Sequence, residues 1–418
     1  MTKRIIAITF IFICASISWA ILGGTIFSRT YDSGASSSSR VASTWGTEQN
    51  QTPPTATFTT KVMQKEETLE NGKTTVKTIP GEYDTPLPLE SSNIDVDLDL
   101  SHRQKGLLWY STYKVAFTGT YTFRNTTDKE QLVYFHLKFP TANAVYDNLT
   151  FAVDGAPLAI TNDKNAAIGS ATVGAGKVAQ LAVGYRSQGL NEWRYSFGET
   201  QVAQVRGFSL HMKTNFKDID FPDNTLSPTD KKETSNGYDL AWNYQSLLSG
   251  YQIAMVMPEK LQPGPLAGKI SFFAPVSLFF FFFLMLIITT MRGIDLHPMN
   301  YFFLAAAFFS FHLLLAYLVD HISIHSSFAI AAAVSVFLVV SYLRLVVGIR
   351  FASREAALAQ FIYLVMFSYA FFLKGFTGLA ITIGSVLTLF VVMQVTGRIN
   401  WSERFTVRPT PKAEPEIS

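Results

Sequence analysis

Cysteine and charge are both scarce in this chain. Cys14 is the single cysteine among 418 residues, so no intramolecular disulfide can form, and cysteine content does not identify a redox compartment. Only 16% of the residues are charged, and no basic stripe is interleaved with aromatic residues, which excludes a nucleic-acid-binding face. The sequence also lacks a P-loop, a dinucleotide-binding fingerprint, G-x-S-x-G and H-E-x-x-H. We therefore expect a protein that is not an enzyme and binds no cofactor.

The charges that do occur are unevenly distributed. Residues 28–268 hold 22 of the 34 Lys and Arg and 25 of the 31 Asp and Glu, which gives this segment a formal charge of −3. The remaining residues carry 12 basic and 6 acidic side chains, and they flank long hydrophobic runs. The sequence therefore divides into a polar middle segment and two apolar ends.

The apolar ends predict an integral membrane protein. A hydrocarbon core of ~30 Å needs ~20 apolar residues as helix, because a backbone amide in lipid must be hydrogen-bonded. Six segments fit this requirement: Ile5–Phe27, Ile270–Thr289, Tyr301–Val319, Ser326–Leu343, Ala357–Leu373 and Phe376–Val395. The last two also fit one kinked or re-entrant segment, because only Lys374 and Gly375 divide them. Ser18-Trp19-Ala20 resembles a signal-peptidase site, but the apolar run continues beyond it, which favours an uncleaved anchor.

Basic residues in the short loops predict the orientation of these spans. Lys3 and Arg4 precede the first span and are expected in the cytoplasm. With six spans, all other basic residues of the short loops and the tail, except Lys374, also fall on the cytoplasmic side: Arg292, Arg344, Arg350, Arg354, Arg398, Arg404, Arg408 and Lys412. Both termini are then cytoplasmic, and residues 28–268 lie on the outer side of the membrane. The lipid bilayer is therefore the first expected partner.

The middle segment has the pattern of a β-sandwich. Ile94–Leu100 alternates apolar residues with Asp95, Asp97 and Asp99, which predicts a strand with one buried and one wet face. About nine such strands are expected, and Asn71-Gly72 predicts a hairpin turn before them. Five segments result: a transmembrane helix at 1–27, a tether with a hairpin at 28–92, a β-sandwich domain at 93–268, a five-helix bundle at 270–395 and a tail at 396–418.

Five residues in and beside the third span are candidates for function. His312 lies at mid-depth, where an ionisable group is costly and marks a functional-site hypothesis; Ser310 and Ser341 are its expected partners. Asp320 and His321 lie at the outer end of the span, and we interpret them by default as polar residues at the membrane interface. His297 and Pro298 fit a helix start, since Pro at the first helical position loses no hydrogen bond. The alternative for His297 is a contact with a cytoplasmic partner or a lipid headgroup. No metal site is expected.

The helical part resembles the CreD family of bacterial inner-membrane proteins. The residues that carry the resemblance are Leu296–Tyr301, Leu313–Leu318, Tyr342-Leu343 and Ile399-Asn400-Trp401, about the last 130 residues of the chain. The family's Gly-Pro-containing segment after the first span has no clean copy here, and His312 stands where the family places an aromatic residue. The resemblance implies a protein of the bacterial inner membrane with one anchor, a large periplasmic β-rich domain, here within residues 28–268, and a helical bundle. It also implies a role in envelope stress tolerance without a defined catalytic activity.

Two functional hypotheses follow. The first is a non-enzymatic inner-membrane protein whose periplasmic domain serves envelope stress response or integrity, with an envelope or signalling protein as partner. The second is a transporter or channel component that uses the helical bundle and His312. A coupled transporter usually has a carboxylate at mid-depth, and none occurs in the six predicted spans.

Overall fold

The computed structural model describes residues 2–70, 73–105, 108–163, 165–198 and 203–397. The chain divides into two compact units. The helical unit contains the N-terminal residues up to Ala35 and the chain from Leu261 onward, and the β-rich unit contains Ser36–Lys105 and Trp109–Lys260. The predicted fold class is confirmed: an N-terminal apolar helix, a β-rich middle domain and several apolar C-terminal helices.

Among the described residues, six helices are long and apolar enough to cross a bilayer. They are α1 (Thr2–Trp45, of which Lys3–Tyr31 is the apolar span), α2 (Pro263–Arg292), α3 (Pro298–Leu318), α4 (Ile324–Val346), α5 (Ile349–Phe372) and α6 (Thr377–Thr396). The last predicted pair is therefore two separate helices. A turn with Gly375 at φ 78° divides them, a backbone conformation that only glycine adopts without strain.

The first helix extends further than the sequence indicated. Residues 28–45, interpreted as the start of a tether, continue α1 as far as Trp45. Serine costs only a few tenths of a kcal/mol per residue in a helix, and propagation is easier than nucleation, so the helix begun in the apolar segment persists through Ser36–Ser39. It ends at Gly46, where φ is 114° and a Cβ would lie 2.4 Å from the Gln188 carbonyl oxygen.

Helix α5 is irregular along its length. Ala352–Ala356 and Phe361–Met366 are π-helical, and Ala370–Phe372 is a 3₁₀ turn. Segments of π-helix are rare and are often found at functional sites. Each π-helical segment shifts the subsequent side chains away from the positions they would have in an ideal α-helix. The inward face of α5 therefore differs from the face that a helical-wheel projection gives.

The β-rich unit contains three sheets. Its sixteen described strands are β1 (Gln49–Gln51), β2 (Thr55–Glu70), β3 (Lys73–Pro86), β4 (Leu89–Lys105), β5 (Leu108–Arg124), β6 (Gln131–Lys138), β7 (Asp147–Val153), β8 (Ala156–Pro157), β9 (Thr161–Asp163), β10 (Ala166–Val173), β11 (Val178–Leu190), β12 (Glu192–Tyr195), β13 (Ala203–Thr214), β14 (Asp230–Glu233), β15 (Tyr238–Ser249) and β16 (Ile253–Val256). The sheet orders are β1-β12-β16, β3-β2-β6-β10-β9 and β14-β15-β13-β4-β5-β11-β7-β8. The expected number of nine was too low, because strands of two to four residues have no readable period.

The predicted hairpin and the predicted alternation are both present. Strands β2 and β3 pair antiparallel as far as Glu70 opposite Lys73, and the turn residues Asn71 and Gly72 lie outside the described residues. Along β4, Ile94, Val96 and Leu98 are buried, whereas the aspartates between them are exposed. Buried side chains of the five-stranded and eight-stranded sheets belong to one hydrophobic core.

Candidate functional site

The start of α3 explains the residues His297 and Pro298. His297 has an extended backbone and its Nδ1 accepts a hydrogen bond from the Met299 amide at 3.2 Å, so the side chain caps the helix. Pro298 is the first helical residue, where its missing N–H removes no intrahelical bond. This arrangement accounts for both residues as a helix-start signature.

His312 is fully buried among aromatic side chains of the helical unit. Its ring lies edge-on to Trp19 of α1, with centroids 5.5 Å apart, and edge-on to Phe311 at 4.8 Å. Its Nδ1 lies 3.1 Å from the carbonyl oxygen of Phe308. Because a carbonyl only accepts, this bond places the proton of a neutral ring on Nδ1 and leaves Nε2 as an acceptor. His312 therefore helps to hold α1 against α3.

The serines expected to pair with His312 bond elsewhere. Ser310 Oγ donates to the Ala307 carbonyl at 2.7 Å, and Ser341 Oγ donates to the Leu338 carbonyl at 3.0 Å. Each hydroxyl thus uses a carbonyl three residues earlier in its own helix, which is the nearest acceptor available to serine in a helix. The expectation of a His–Ser pair was wrong for this reason.

Asp320, at the other end of α3, takes part in a contact with α1. Arg29 Nη2 donates to Asp320 Oδ1 at 3.3 Å and to the Ala316 carbonyl at 3.0 Å, and its guanidinium lies 5.5 Å from the Tyr317 ring centroid. The carbonyl is one of those left without an intrahelical partner at a helix C-terminus. His321 follows in an exposed turn. Asp320 and His321 therefore mark the end of the span, and Asp320 also binds Arg29 of α1.

A second arginine of α1 makes a matching contact at the opposite end. Arg4 Nη1 donates to Asp295 Oδ1 at 2.9 Å, in the loop between α2 and α3. Arg4 and Arg29 are 25 residues apart, which corresponds to about 37 Å of helix. This separation exceeds the ~30 Å hydrocarbon thickness of a bilayer, so both ion pairs can lie in its polar interfaces. The sequence pattern missed this pairing, because the four residues are distant in sequence.

A polar network in the interior of the bundle was not predicted from the sequence. Gln360 of α5 donates through Nε2 to Ser335 Oγ of α4 at 2.8 Å, and Ser335 Oγ donates to the Ala307 carbonyl of α3 at 2.6 Å. Gln360 and Ser335 are fully buried. Three helices are therefore joined by uncharged hydrogen bonds, which are common between membrane helices. A Gln within the apolar run of the fifth span was the signal available in the sequence.

The five predicted residues do not converge on one site. His297 and Pro298 are at one end of α3, Asp320 and His321 are at the other, and His312 lies between them against α1. Their geometry is that of a helix cap, a buried packing contact and an end contact. Within the described ranges, no group of three or more His, Cys, Asp or Glu side chains is arranged to hold a metal ion.

The exposed face of the eight-stranded sheet carries a charged row. His211 of β13 lies between Asp95 of β4, 3.6 Å away, and Asp239 of β15, which it contacts closely through Nε2. Asn215 Nδ2 donates to Asp99 Oδ1 at 2.5 Å. Two of the three aspartates predicted to face solvent thus contact β13 or the residue that follows it, which fits pairing between neighbouring strands on a wet face.

Tyrosines dominate the polar chemistry of the β-rich core. Burial raises the pKa of Tyr113, Tyr185 and Tyr195 well above 10.0, and burial also raises the pKa of Tyr121. Tyr113 Oη donates to the Glu192 carbonyl at 2.8 Å and Tyr185 Oη donates to Gln51 Oε1 at 2.7 Å. All four hydroxyls stay protonated at neutral pH, and those of Tyr113 and Tyr185 act as internal hydrogen-bond donors.

The comparison with protein families decides the affiliation. The sequence model described as "Inner membrane protein CreD" matches residues 1–402. The chain belongs to the CreD family. The resemblance noted for the last 130 residues therefore extends over essentially the whole chain, including the β-rich unit, and the protein is an inner-membrane protein of the cell envelope.

Other comparisons add little to this affiliation. No curated protein matches the chain. Among solved structures, a Legionella pneumophila protein described as nutrient-binding has 10% identity and a TM-score of 0.30, over 47% of this chain and 74% of its own. An M1 zinc metallopeptidase from Deinococcus radiodurans has 12% identity and a TM-score of 0.24, over 41% of this chain and 42% of its own. TM-scores of this size do not establish a common fold.

Proposed function

We propose that this CreD-family protein is a non-enzymatic inner-membrane protein whose β-rich domain lies in the periplasm and supports envelope integrity or the envelope stress response. The observation that carries the proposal is the position of the domain in the chain, between the first and second of six spans. A domain in that position lies wholly on one side of the membrane, and an even number of spans returns the C-terminal end to the side of the N-terminus.

The distribution of charge supports a periplasmic position for the domain. One end of the helical unit carries Arg4, Arg292, Arg344, Arg350 and Arg354, whereas the loops at the other end carry Asp320, His321 and Lys374. Cytoplasmic loops are enriched in Lys and Arg. The basic end is therefore assigned to the cytoplasm, and the β-rich domain to the opposite side.

The bonding of the chemically versatile residues supports a role without catalysis. His297 caps a helix, His312 bonds to the Phe308 carbonyl, and two of the buried tyrosines named above donate to a backbone carbonyl or a glutamine oxygen. Each of these groups has a structural task that its geometry explains. The β-rich domain instead offers a broad folded surface, which fits an interaction with an envelope or signalling protein.

Complementation of a deletion strain tests the proposal. The strain lacking the protein is exposed to bile salts and to a pore-forming colicin, and survival is compared with that of the parent. We expect the deletion to change survival by at least tenfold and the wild-type gene to restore it. Identical survival of parent and deletion strain under both treatments contradicts the proposed role.

The transporter hypothesis is tested with the same strain. It is favoured by one observation: His312 Nε2 and Trp19 Nε1 are buried and have no hydrogen-bond partner among the described residues. His312→Phe keeps the aromatic packing and removes the titratable nitrogen. We expect this variant to complement fully at wild-type abundance, because phenylalanine keeps the aromatic packing through which His312 holds the helices together. Loss of complementation at normal abundance would support transport instead, and Phe309→Leu, a neighbouring packing change, is the control.

A further inference from the structure

A wedge-shaped cleft opens on one side of the helical unit. It is bounded by α2, α5 and α6 and has a volume of about 890 Å³. Its walls are apolar over most of their length and include Ile288, Phe367 and Val391. The cleft exists because α6 is bound along a narrow line: of its described side chains only Thr388 and Val392 are buried, and Gly384 allows the close approach to Phe367.

The cleft has one polar end. Glu355 of α5 lines it there and forms a close ion pair with Arg292 of α2. Glu355 belongs to the π-helical segment Ala352–Ala356, and the exposed Arg354 precedes it in the same segment. Arg350, also exposed, lies about one turn earlier in α5. Glu355 therefore lines the cleft itself, and Arg292, Arg350 and Arg354 belong to the same end of α2 and α5.

This combination of an apolar wedge and a cationic end has a direct chemical complement. An acyl chain fills an apolar cleft between helices that stand in hydrocarbon, and a phosphate pairs with arginine through charge-assisted hydrogen bonds. Basic pockets between membrane helices are known to bind the headgroups of anionic lipids. A guanidinium has five N–H donors, and the ion pair with Glu355 uses Nη2 of Arg292. Arg292 therefore has further N–H groups that can donate to a phosphate.

We propose that this cleft binds one anionic phospholipid of the surrounding bilayer, with an acyl chain between α5 and α6 and the phosphate at Arg292, Arg350 and Arg354. The surplus of positive charge selects an anionic headgroup over a zwitterionic one. The lipid also fills the space that α6 leaves, so it holds α6 in place against α5. The proposal does not depend on the role of the β-rich domain or on the orientation of the protein.

Lipid retention by the intact protein tests this site. The full chain is purified in detergent, stripped of lipid, and titrated with dioleoyl phosphatidylglycerol or dioleoyl phosphatidylcholine, and bound lipid is counted by native mass spectrometry. We expect one tightly held phosphatidylglycerol and at least tenfold weaker binding of phosphatidylcholine. For Arg350→Gln/Arg354→Gln we expect roughly 25-fold weaker binding, or about fivefold for each basic residue removed. Arg344→Gln, an exposed change at the same end on α4, is the matched control.

A second pair of variants addresses the acyl chain and does not alter charge. Val391→Trp fills the cleft from α6, whereas Leu389→Trp places the same ring on a part of α6 that does not line it; the two native side chains are 54% and 55% exposed. We expect Val391→Trp to abolish the tightly held lipid and Leu389→Trp to retain it. Equal retention of both lipids by the wild type, equal losses in the test and control variants, or unchanged retention in Val391→Trp would each overturn the proposal.

Discussion

The helical unit and the β-rich unit use polar groups in opposite ways. In the helical unit, ion pairs such as Arg4–Asp295 and Arg29–Asp320 lie at the ends, and the interior contains uncharged hydrogen bonds such as Gln360 to Ser335. In the β-rich unit, charges can alternate with buried residues within one strand, as in Ile94–Leu98 of β4. The difference reflects the solvent: a bilayer excludes charge from a whole layer of the protein, whereas water requires only that one face of a sheet be polar.

The two units also differ in what stabilises their packing. Buried aromatic rings in the β-rich unit are removed from water, which is favourable by ~25 cal/mol per Å². The surroundings of membrane helices are as apolar as their side chains, so the helices associate through close packing and hydrogen bonds. Variants in the two units can measure this contrast.

The largest effect is expected from truncating a buried tryptophan in the β-rich unit. Trp242 is fully buried and its Nε1 donates to the Leu226 carbonyl at 2.9 Å. Trp242→Ala is expected to lower the free energy of unfolding of this unit by about 4 kcal/mol. Urea unfolding of the full chain in detergent, followed by near-ultraviolet circular dichroism, measures the change.

The control for this variant is Tyr134→Ala, which truncates an aromatic side chain on β6 that is 36% exposed. Its expected effect is within about 0.5 kcal/mol if the ring makes no specific contact. Equal losses in the two variants would contradict the view that removal from water stabilises this unit.

The buried tyrosines predict a pH limit for the β-rich unit. Burial raises the pKa of Tyr121 above 10.0, whereas the unfolded chain ionises near that value. The unit is therefore fully stabilised below pH ~10 and loses stability as pH rises towards the folded pKa, by up to about 1.4 kcal/mol per pH unit for each such tyrosine. Urea unfolding at several alkaline pH values measures the slope. Tyr121→Phe is expected to reduce this slope by the contribution of one titrating group, up to about 1.4 kcal/mol per pH unit. Tyr251→Phe, at a side chain that is 53% exposed, is the control.

A smaller effect is expected from the interior network of the helical unit. Gln360→Ala removes the bond to Ser335, and interhelical hydrogen bonds in membranes contribute about 0.6 to 2 kcal/mol. We expect a loss of about 1 kcal/mol in unfolding by sodium dodecyl sulfate from mixed micelles. Gln394→Ala, an exposed glutamine of α6, is the control and is expected to change little. A loss above about 3 kcal/mol would show that the network does more than join three helices.

The smallest effect is expected from the ion pair between α1 and α3. Arg29 and Asp320 are partly exposed, and pairs of this kind contribute about 0.2 to 1 kcal/mol. A double-mutant cycle with Arg29→Gln and Asp320→Asn measures the coupling in the same unfolding assay. The coupling is expected to shrink further at high salt. A coupling above about 2 kcal/mol would mean that this contact is desolvated and belongs to the interior of the protein.

Much of the fold was predictable because two simple patterns dominate the sequence. Runs of about 20 apolar residues identified all six spans, and strict alternation identified strand β4 and its buried face. The extension of α1 through Ser36–Ser39 was missed, since a composition typical of linkers is compatible with a helix that has already started.

The functional residues were less predictable, because their partners are set by packing. The carbonyl of Phe308 carries no sequence signal, so His312 was assigned to serines that bond within their own helices. Gln360 was not singled out in the sequence, yet its side chain hydrogen-bonds to Ser335 and so links α5 to α4. The cleft beside α6 depends on the small number of side chains that this helix buries, which only the structure reveals.

The side of the membrane on which the β-rich unit lies can be measured by the accessibility of single cysteines in intact cells. In a Cys14→Ser background, one cysteine is placed in the β-rich unit by Asp128→Cys and one at the basic end of the helical unit by Ser353→Cys; both native residues are exposed. Spheroplasts are treated with a membrane-impermeant maleimide before and after lysis. The account predicts labelling of Asp128→Cys in intact spheroplasts and of Ser353→Cys only after lysis. Labelling of both positions before lysis, or of Ser353→Cys alone, would contradict it.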